Sequence, residues 1–200
     1  MSAFDWRGIE GQLATSRDKI KTALLDLLEQ FPFSELNISS VCSKAGLSRR
    51  TFTRYYSSLE DVAKEQVRDD ALGPAAAIME TLPVDIMMDP GYITYASILR
   101  AIYAHRTFYR RVSESFGSMW CVEQYMDATK SMVLQRYLPD VIPEDEVGYA
   151  EHFFRGAAAM AIKWWVEGDF AASPEWVALL ILRWHYGHLN TLPIANKTEY

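Results

Sequence analysis

Cysteine is scarce in this chain: Cys42 and Cys121 are the two in 200 residues, far apart and in no metal-ligand spacing. Disulfide scaffolds and zinc fingers are therefore poor explanations, and a reduced cytoplasm is the expected setting. An excess of positive charge is also missing. The formal net charge is −6, so the protein as a whole is not a polycation that coats nucleic acid, and any such binding needs a local basic patch. The first fifteen residues carry Asp5, Arg7 and Glu10 with no apolar run, so no signal peptide is expected. The most apolar stretches are interrupted by Lys163, Glu167 and Arg183, leaving none of the roughly 18 uncharged residues a membrane span requires. Alternating strand patterns, internal repeats and low-complexity segments are absent too.

What remains is hydrophobic and helical in period. Half of the residues are hydrophobic, enough for a sizeable core. Residues 1–14 show no clear period and read as a loose arm. Ile20, Leu24, Leu27, Leu28 and Phe31 mark one face of a helix over about 16–30, ended by Pro32. Asn37 stands where a cap belongs, before a short helix over 38–45 that Gly46 terminates. Ser48 caps a third helix over 49–56, and Ser58 with Asp61 resembles a capping box that opens a fourth. That fourth helix should end by Gly73-Pro74, with a further one over 75–81 and a connection over 83–91. Helices are expected near 92–104, 106–115, 118–137, 144–167 and 174–189.

Helices two and three are too short to stand alone and need the first to pack on. Val41, Ala45, Leu47 and Phe52 are the expected inner residues, and Cys42 reads as a small core residue. Between Leu36 and Leu59 lie Lys44, Arg49, Arg50 and Arg54 and no acid at all, a local exception in an acidic chain. If Phe52 points in, the arginines at the start of its helix point out. A recognition helix reads base edges with such N-terminal residues while its neighbours hold phosphates, and arginine can bond guanine twice. A solvated helix face would explain an isolated cluster. Here a glycine turn, two caps and a supporting helix coincide with it, which favours a helix-turn-helix.

The segment 16–68 resembles the N-terminal domain of the TetR family of transcriptional regulators. The likeness lies in Ala45-Gly46-Leu47-Ser48, Arg49-Arg50-Thr51-Phe52, Tyr55-Tyr56 and Ser58-Leu59-Glu60-Asp61-Val62. It implies an all-α protein: a three-helix DNA-binding domain over 1–68 and a helical ligand-binding and dimerisation domain over 69–200. Asn37 matches the family's usual threonine, which caps the second helix near a phosphate. Arg49, Arg50 and Thr51 match the base-reading start of the third helix, and Tyr55 a histidine or tyrosine near the backbone. Ser39, Lys44, Ser48, Thr53 and Arg54 complete the DNA-binding candidates. Three positions depart from the pattern. Arg50 replaces a common glycine, Thr53 a phosphate-binding tyrosine, and Leu59 a lysine that often contacts phosphate.

In the C-terminal half, the run from Phe153 to Trp165, then Gly168 and Ser173-Pro174-Glu175, resembles the C-terminal domain of one TetR subgroup. The resemblance implies that the last two long helices pair with those of a second subunit. The small residues from Gly156 to Ala161 would permit close packing, and Trp176, Leu180 and Trp184 recur at four-residue steps. Ala157, Ala161, Trp165, Trp176, Leu180 and Trp184 are accordingly the dimer-interface candidates. Tyr103, Phe108, Trp120, Tyr125, Phe153 and Trp164 could line a small-molecule pocket with His152 or Arg155 as polar anchor, or could be plain core. Three or four phosphates neutralised per subunit would give a log–log salt slope of about −5 to −7.

Signals for an enzyme are weak. His185 and His188 are three apart, but no third metal ligand stands near them. Glu167 and Asp169 sit at a helix terminus, and there is no phosphate-cradling glycine loop and no nucleophile in a recognisable setting. No cofactor and no metal are expected. The reading is a ligand-responsive repressor that binds a near-palindromic operator as a homodimer, with double-stranded DNA and an unidentified small-molecule effector as partners. The alternative is a protein-interaction module of the same fold that acts through a partner protein.

Overall fold

A computed structural model of the chain describes residues 15–81, 90–129, 145 and 147–186. They form helices throughout, with no strand among the described residues, in two compact units divided between Ala63 and Lys64.

In the first unit, α1 (Ser16–Leu28) starts at a capping box. Thr15 Oγ1 accepts from the Asp18 amide at 3.2 Å, and the Asp18 carboxylate accepts from the Thr15 amide at 3.0 Å. Its buried stripe is Ile20, Ala23, Leu24 and Leu28, the three-and-four spacing of one helix face. A single 3-10 turn over Phe33–Glu35 buries Phe33. Helix α2 (Ile38–Ala45) begins with a second box, in which Asn37 Oδ1 accepts from the Ser40 amide at 3.0 Å and Ser40 Oγ from the Asn37 amide at 3.2 Å. It stops at Gly46, whose φ of +66° is left-handed and allows the Leu47 amide to reach back to the Cys42 carbonyl at 3.0 Å. Helix α3 (Arg49–Tyr55) then starts under the Ser48 cap, 3.1 Å from the Thr51 amide. The three helices pack on one another around Val41, Cys42 and Phe52. Ala45 and Leu47, expected inside with them, are half-buried.

Helix α4 (Leu59–Thr81) opens with the expected Ser58–Asp61 box. The Asp61 amide donates to Ser58 Oγ and the Ser58 amide to Asp61, each at 3.1 Å, and both the amide and the hydroxyl of Ser57 add to the same carboxylate. The expected break at Gly73-Pro74 does not occur, because α4 runs on through both residues to Thr81. Proline removes one bond from the ladder, yet its fixed φ is itself helical, so the helix can carry on past it.

In the second unit, α5 (Pro90–Ala104) lies against α9 (Pro174–Tyr186), and α6 (Arg106–Phe116) against α7 (Ser118–Ala128). Helix α8 (Val147–Glu167) packs on α7 and α9. Ile98, Leu99, Ile102, Phe108, Val112, Ala158, Ile162, Ile181 and Leu182 fill the space between them. After α8 the backbone turns through Asp169 and Phe170 at φ +54° and +57°, unfavourable for residues with a Cβ. Phe170 is held there by edge-on contact with Trp165 at 5.0 Å, and the Trp165 indole donates to the Ala172 carbonyl at 2.8 Å. Residues 130–137 and 187–189 of the expected helices, His188, and 83–89 of the expected connection lie outside the described residues, as does the side chain of His185. Among the described residues, no helix is long and apolar enough to cross a membrane.

Candidate nucleic-acid interface

Helix α3 has two dissimilar faces. Phe52 is fully buried, with its ring 5.8 Å from that of Tyr56, and it fixes the rotation of the helix. At one-hundred-degree steps Arg50 and Arg54 lie almost opposite Phe52 and Thr53 to its side; Arg49 and Tyr55, about sixty degrees from Phe52 at the two ends of this short helix, are exposed as well. Thr51 is half-buried, its amide capped by Ser48 and its hydroxyl 2.9 Å from Ser48 Oγ. Thr53 Oγ1 donates to the Arg50 carbonyl at 3.2 Å, so this hydroxyl is turned toward its own helix.

The three arginines of α3 have no carboxylate partner among the described residues. Lys44 differs from them: its ammonium lies 3.2 Å from Asp26 on α1, so part of its charge is already answered. Asp26 was not visible as a partner in the sequence, because 18 residues separate the two. Arg17 lies over the Tyr56 ring at 5.4 Å and braces the back of the unit. Asn37, Ser39 and Ser48 are exposed at the starts of α2 and α3, where amide groups point outward. Leu59, at the family's lysine position, is buried and supplies packing rather than charge. Burial keeps the Cys42 thiol above its ordinary range, although Arg49 pulls the other way, so Cys42 behaves as core.

The C-terminal candidates fall into different surroundings, buried for some and exposed for others. Phe108, Trp120 and Tyr125 are buried, Phe108 edge-on to Tyr109 at 5.1 Å and Trp120 stacked on Phe116 at 5.1 Å. Tyr103 is half out, stacked on Trp165 and covered by the Arg106 guanidinium at 5.0 Å. Arg155 donates to the Met126 carbonyl at 3.0 Å, which ties α8 to α7. His152 is exposed, its Nδ1 2.8 Å from the Gly148 carbonyl. Phe153 and Trp164, expected in a pocket, stand 68% and 72% exposed. They share the outward face of α8 with Tyr149, Ala157 and Met160, opposite its buried face of Ala158, Ile162, Trp165 and Val166. Trp165, expected at an interface, points into the unit instead, where its ring meets Phe170 and its indole bonds the Ala172 carbonyl. Ala161, Trp176 and Leu180 are half-buried, and Trp184 is 71% exposed.

Comparison with known proteins agrees with this architecture. Residues 93–184 match the TetR C-terminal family described as a transcriptional regulator C-terminal region. A protein named as a TetR-family transcriptional regulator from Syntrophomonas wolfei superposes with a TM-score of 0.63 at 21% identity, over 90% of this chain and 98% of the other. The TetR transcriptional regulator from Streptococcus agalactiae gives 0.53 at 18% identity, over 90% and 93% of the two chains. The dihydroxyacetone kinase operon activator DhaS gives 0.60 at 13% identity, over 86% and 94%. No curated protein matches the sequence. The chain thus has the all-helical fold of these transcriptional regulators, and its residues 93–184 match their C-terminal family.

Proposed function

We propose that the protein binds a near-palindromic DNA site as a homodimer, reading base edges with the start of α3 in the major groove. The observation that carries this reading is the exposure of Arg49, Arg50 and Arg54 on one short helix that the buried Phe52 anchors. Arg49 and Arg50 occupy the first turn, where side chains reach base edges. Arg54 sits one turn on, where contact falls on phosphate. Ser39, the outward amides of α2 and α3, and Tyr55 supply the remaining backbone contacts, and Lys44 contributes less because of Asp26.

Dimerisation supports such a site, since two heads meet two half-sites. The outward face of α8, with Tyr149, Phe153, Met160 and Trp164, and Trp184 on α9, exposes more large apolar side chain than a monomer usually keeps in water. A second copy covering this face is the simplest occupant, and a twofold axis would place each stripe against its own copy. The C-terminal unit would also receive the effector, among Tyr103, Trp120, Tyr125 and Arg155, relieving repression by favouring a conformation with lower DNA affinity. The name of the DhaS relative records activation of an operon, so the same fold also serves the opposite sign of control.

Fluorescence anisotropy with DNA from upstream of the protein's own gene tests the reading. Specific binding in the wild type and its loss in the Arg49→Ala/Arg50→Ala double variant, with an unchanged melting curve, is the expected result. Buried Leu59, which removes a phosphate contact, favours the second reading of a module that acts through a partner protein. In that case the double substitution leaves regulation in the cell intact.

A further inference from the structure

The second unit holds a buried cluster of polar groups around Asp70. Asp70 on α4 is 4% exposed. His105, in the junction between α5 and α6, places Nδ1 2.9 and 3.1 Å from the two carboxylate oxygens. The Tyr109 hydroxyl on α6 donates to Asp70 Oδ2 at 3.0 Å, and Gln66 Nε2 donates to Oδ1 at 3.0 Å. Each carboxylate oxygen thus receives a neutral donor, and the imidazole lies against both. A carboxylate this deeply buried is costly unless it is paired and fully hydrogen-bonded. Here the imidazole is the one cation among its bonded partners.

We propose that Asp70 and His105 form a protonation-sensitive latch that fastens α4 to the start of α6, tight while the imidazole is charged and looser when it is neutral. A neutral imidazole can still donate from Nδ1, but a charge-assisted bond is about twice as strong as a neutral one. The groups around the pair do not compensate. Gln66 cannot ionise. The Tyr109 phenol is held far above its ordinary range, by burial first and by the Asp70 charge second. Behind Tyr109, burial pushes the Cys121 thiol on α7 up to about 11 and raises Tyr125 as well, so both stay neutral. The Arg106 guanidinium, next to His105 in the chain, is turned to the Tyr103 ring and carbonyl.

The proton balance sets the direction. The hydrogen bond to Asp70 raises the His105 titration above its ordinary value, against an opposing effect of burial. Burial raises Asp70 in turn, against the pull of His105, Tyr109 and Gln66. Both groups hold protons more tightly in the folded protein than in the unfolded chain, so stability falls as pH rises through each. For His105 that loss begins near pH 6.5 and is complete above its folded value. Near neutral pH the imidazole is the group that changes charge.

Two readouts on the full-length protein test the latch, neither of which involves DNA. In the wild type, the His105 imidazole followed by NMR should titrate above the ordinary histidine value. In Asp70→Asn it should titrate below that value, because only burial then acts. Amide-exchange protection of residues 64–72, corrected for intrinsic rates, should drop in the wild type between pH 6 and pH 8.5. His105→Gln should keep it flat, and this second arm remains usable if Asp70→Asn fails to fold. A wild-type His105 titrating at or below its ordinary value overturns the latch. So does protection of α4 that shows the same pH profile with and without His105.

Discussion

Salt dependence offers the sharpest test of DNA recognition, and Arg54 is the residue on which to perform it. Each head exposes Arg49, Arg50 and Arg54 without a carboxylate partner among the described residues, whereas Lys44 is tied to Asp26 at 3.2 Å. Three exposed cations in each of two heads, Arg54 on phosphate and Arg49 and Arg50 passing between the backbones to reach base edges, displace about six condensed counterions, which predicts a slope of about −5 for log affinity against log salt. Affinity should then fall about a thousandfold between 50 and 200 mM salt. Arg54→Ala removes one cation per head, reducing the slope to about −3.6 and the fall to roughly a hundredfold. Fold should be untouched, since the Arg54 side chain lies in solvent and Phe52 still anchors the helix. The assay is fluorescence anisotropy of an operator duplex at five or six salt concentrations, for wild type and variant side by side. A wild-type slope shallower than about −2, or a slope that Arg54→Ala leaves unmoved, would refute the placement of α3 against phosphate.

Phe52→Ala leaves a cavity at the centre of the head and should cost about 3–5 kcal/mol, seen as early melting of residues 15–58 by amide exchange with the second unit intact. Full persistence of the head would show that Phe52 is not its keystone. Trp164→Ser removes an exposed ring from each of two copies. At about 1.5–3 kcal/mol per buried aromatic it should weaken self-association at least about a hundredfold by analytical ultracentrifugation, with no loss of monomer stability. If the wild type is monomeric at micromolar concentration, the covered-face reading fails. Asp61 is held below its ordinary range chiefly by Ser57, so its contribution is present at neutral pH and fades as pH falls through and below 3.8. Asp61→Asn should flatten that acid limb of the head's stability curve, and an unchanged limb in chemical denaturation from pH 5 to pH 2.5 would assign the acid sensitivity elsewhere.

Local chemistry was legible because local rules act within three or four residues. Asn37, Ser48 and Ser58 could be recognised as caps, and Gly46 as a stop, since each satisfies amides or carbonyls of its own turn. That Arg50 and Arg54 face outward followed from a single inward residue, Phe52, whereas the exposure of Arg49, about sixty degrees from Phe52, reflects its place at the end of the helix. Pro74 misled because a proline marks a helix end only by preference, and here the helix accepts it. In α8, composition alone could not say which of Trp164 and Trp165 turns inward. Both have the same hydrophobicity, and the choice is made by Phe170 and the Ala172 carbonyl, which lie beyond the helix.

The order of residues by itself determined the helical class, the caps and turn of the first unit, and the cationic face of its third helix. Those depend on neighbours along the chain and on a 3.6-residue period. Only the tertiary structure decided that Lys44 meets Asp26, that Phe153 and Trp164 stand in solvent, and that Asp70 meets His105. The two pairings join residues 18 and 35 positions apart, and no local periodicity encodes which distant side chain will arrive at a given face.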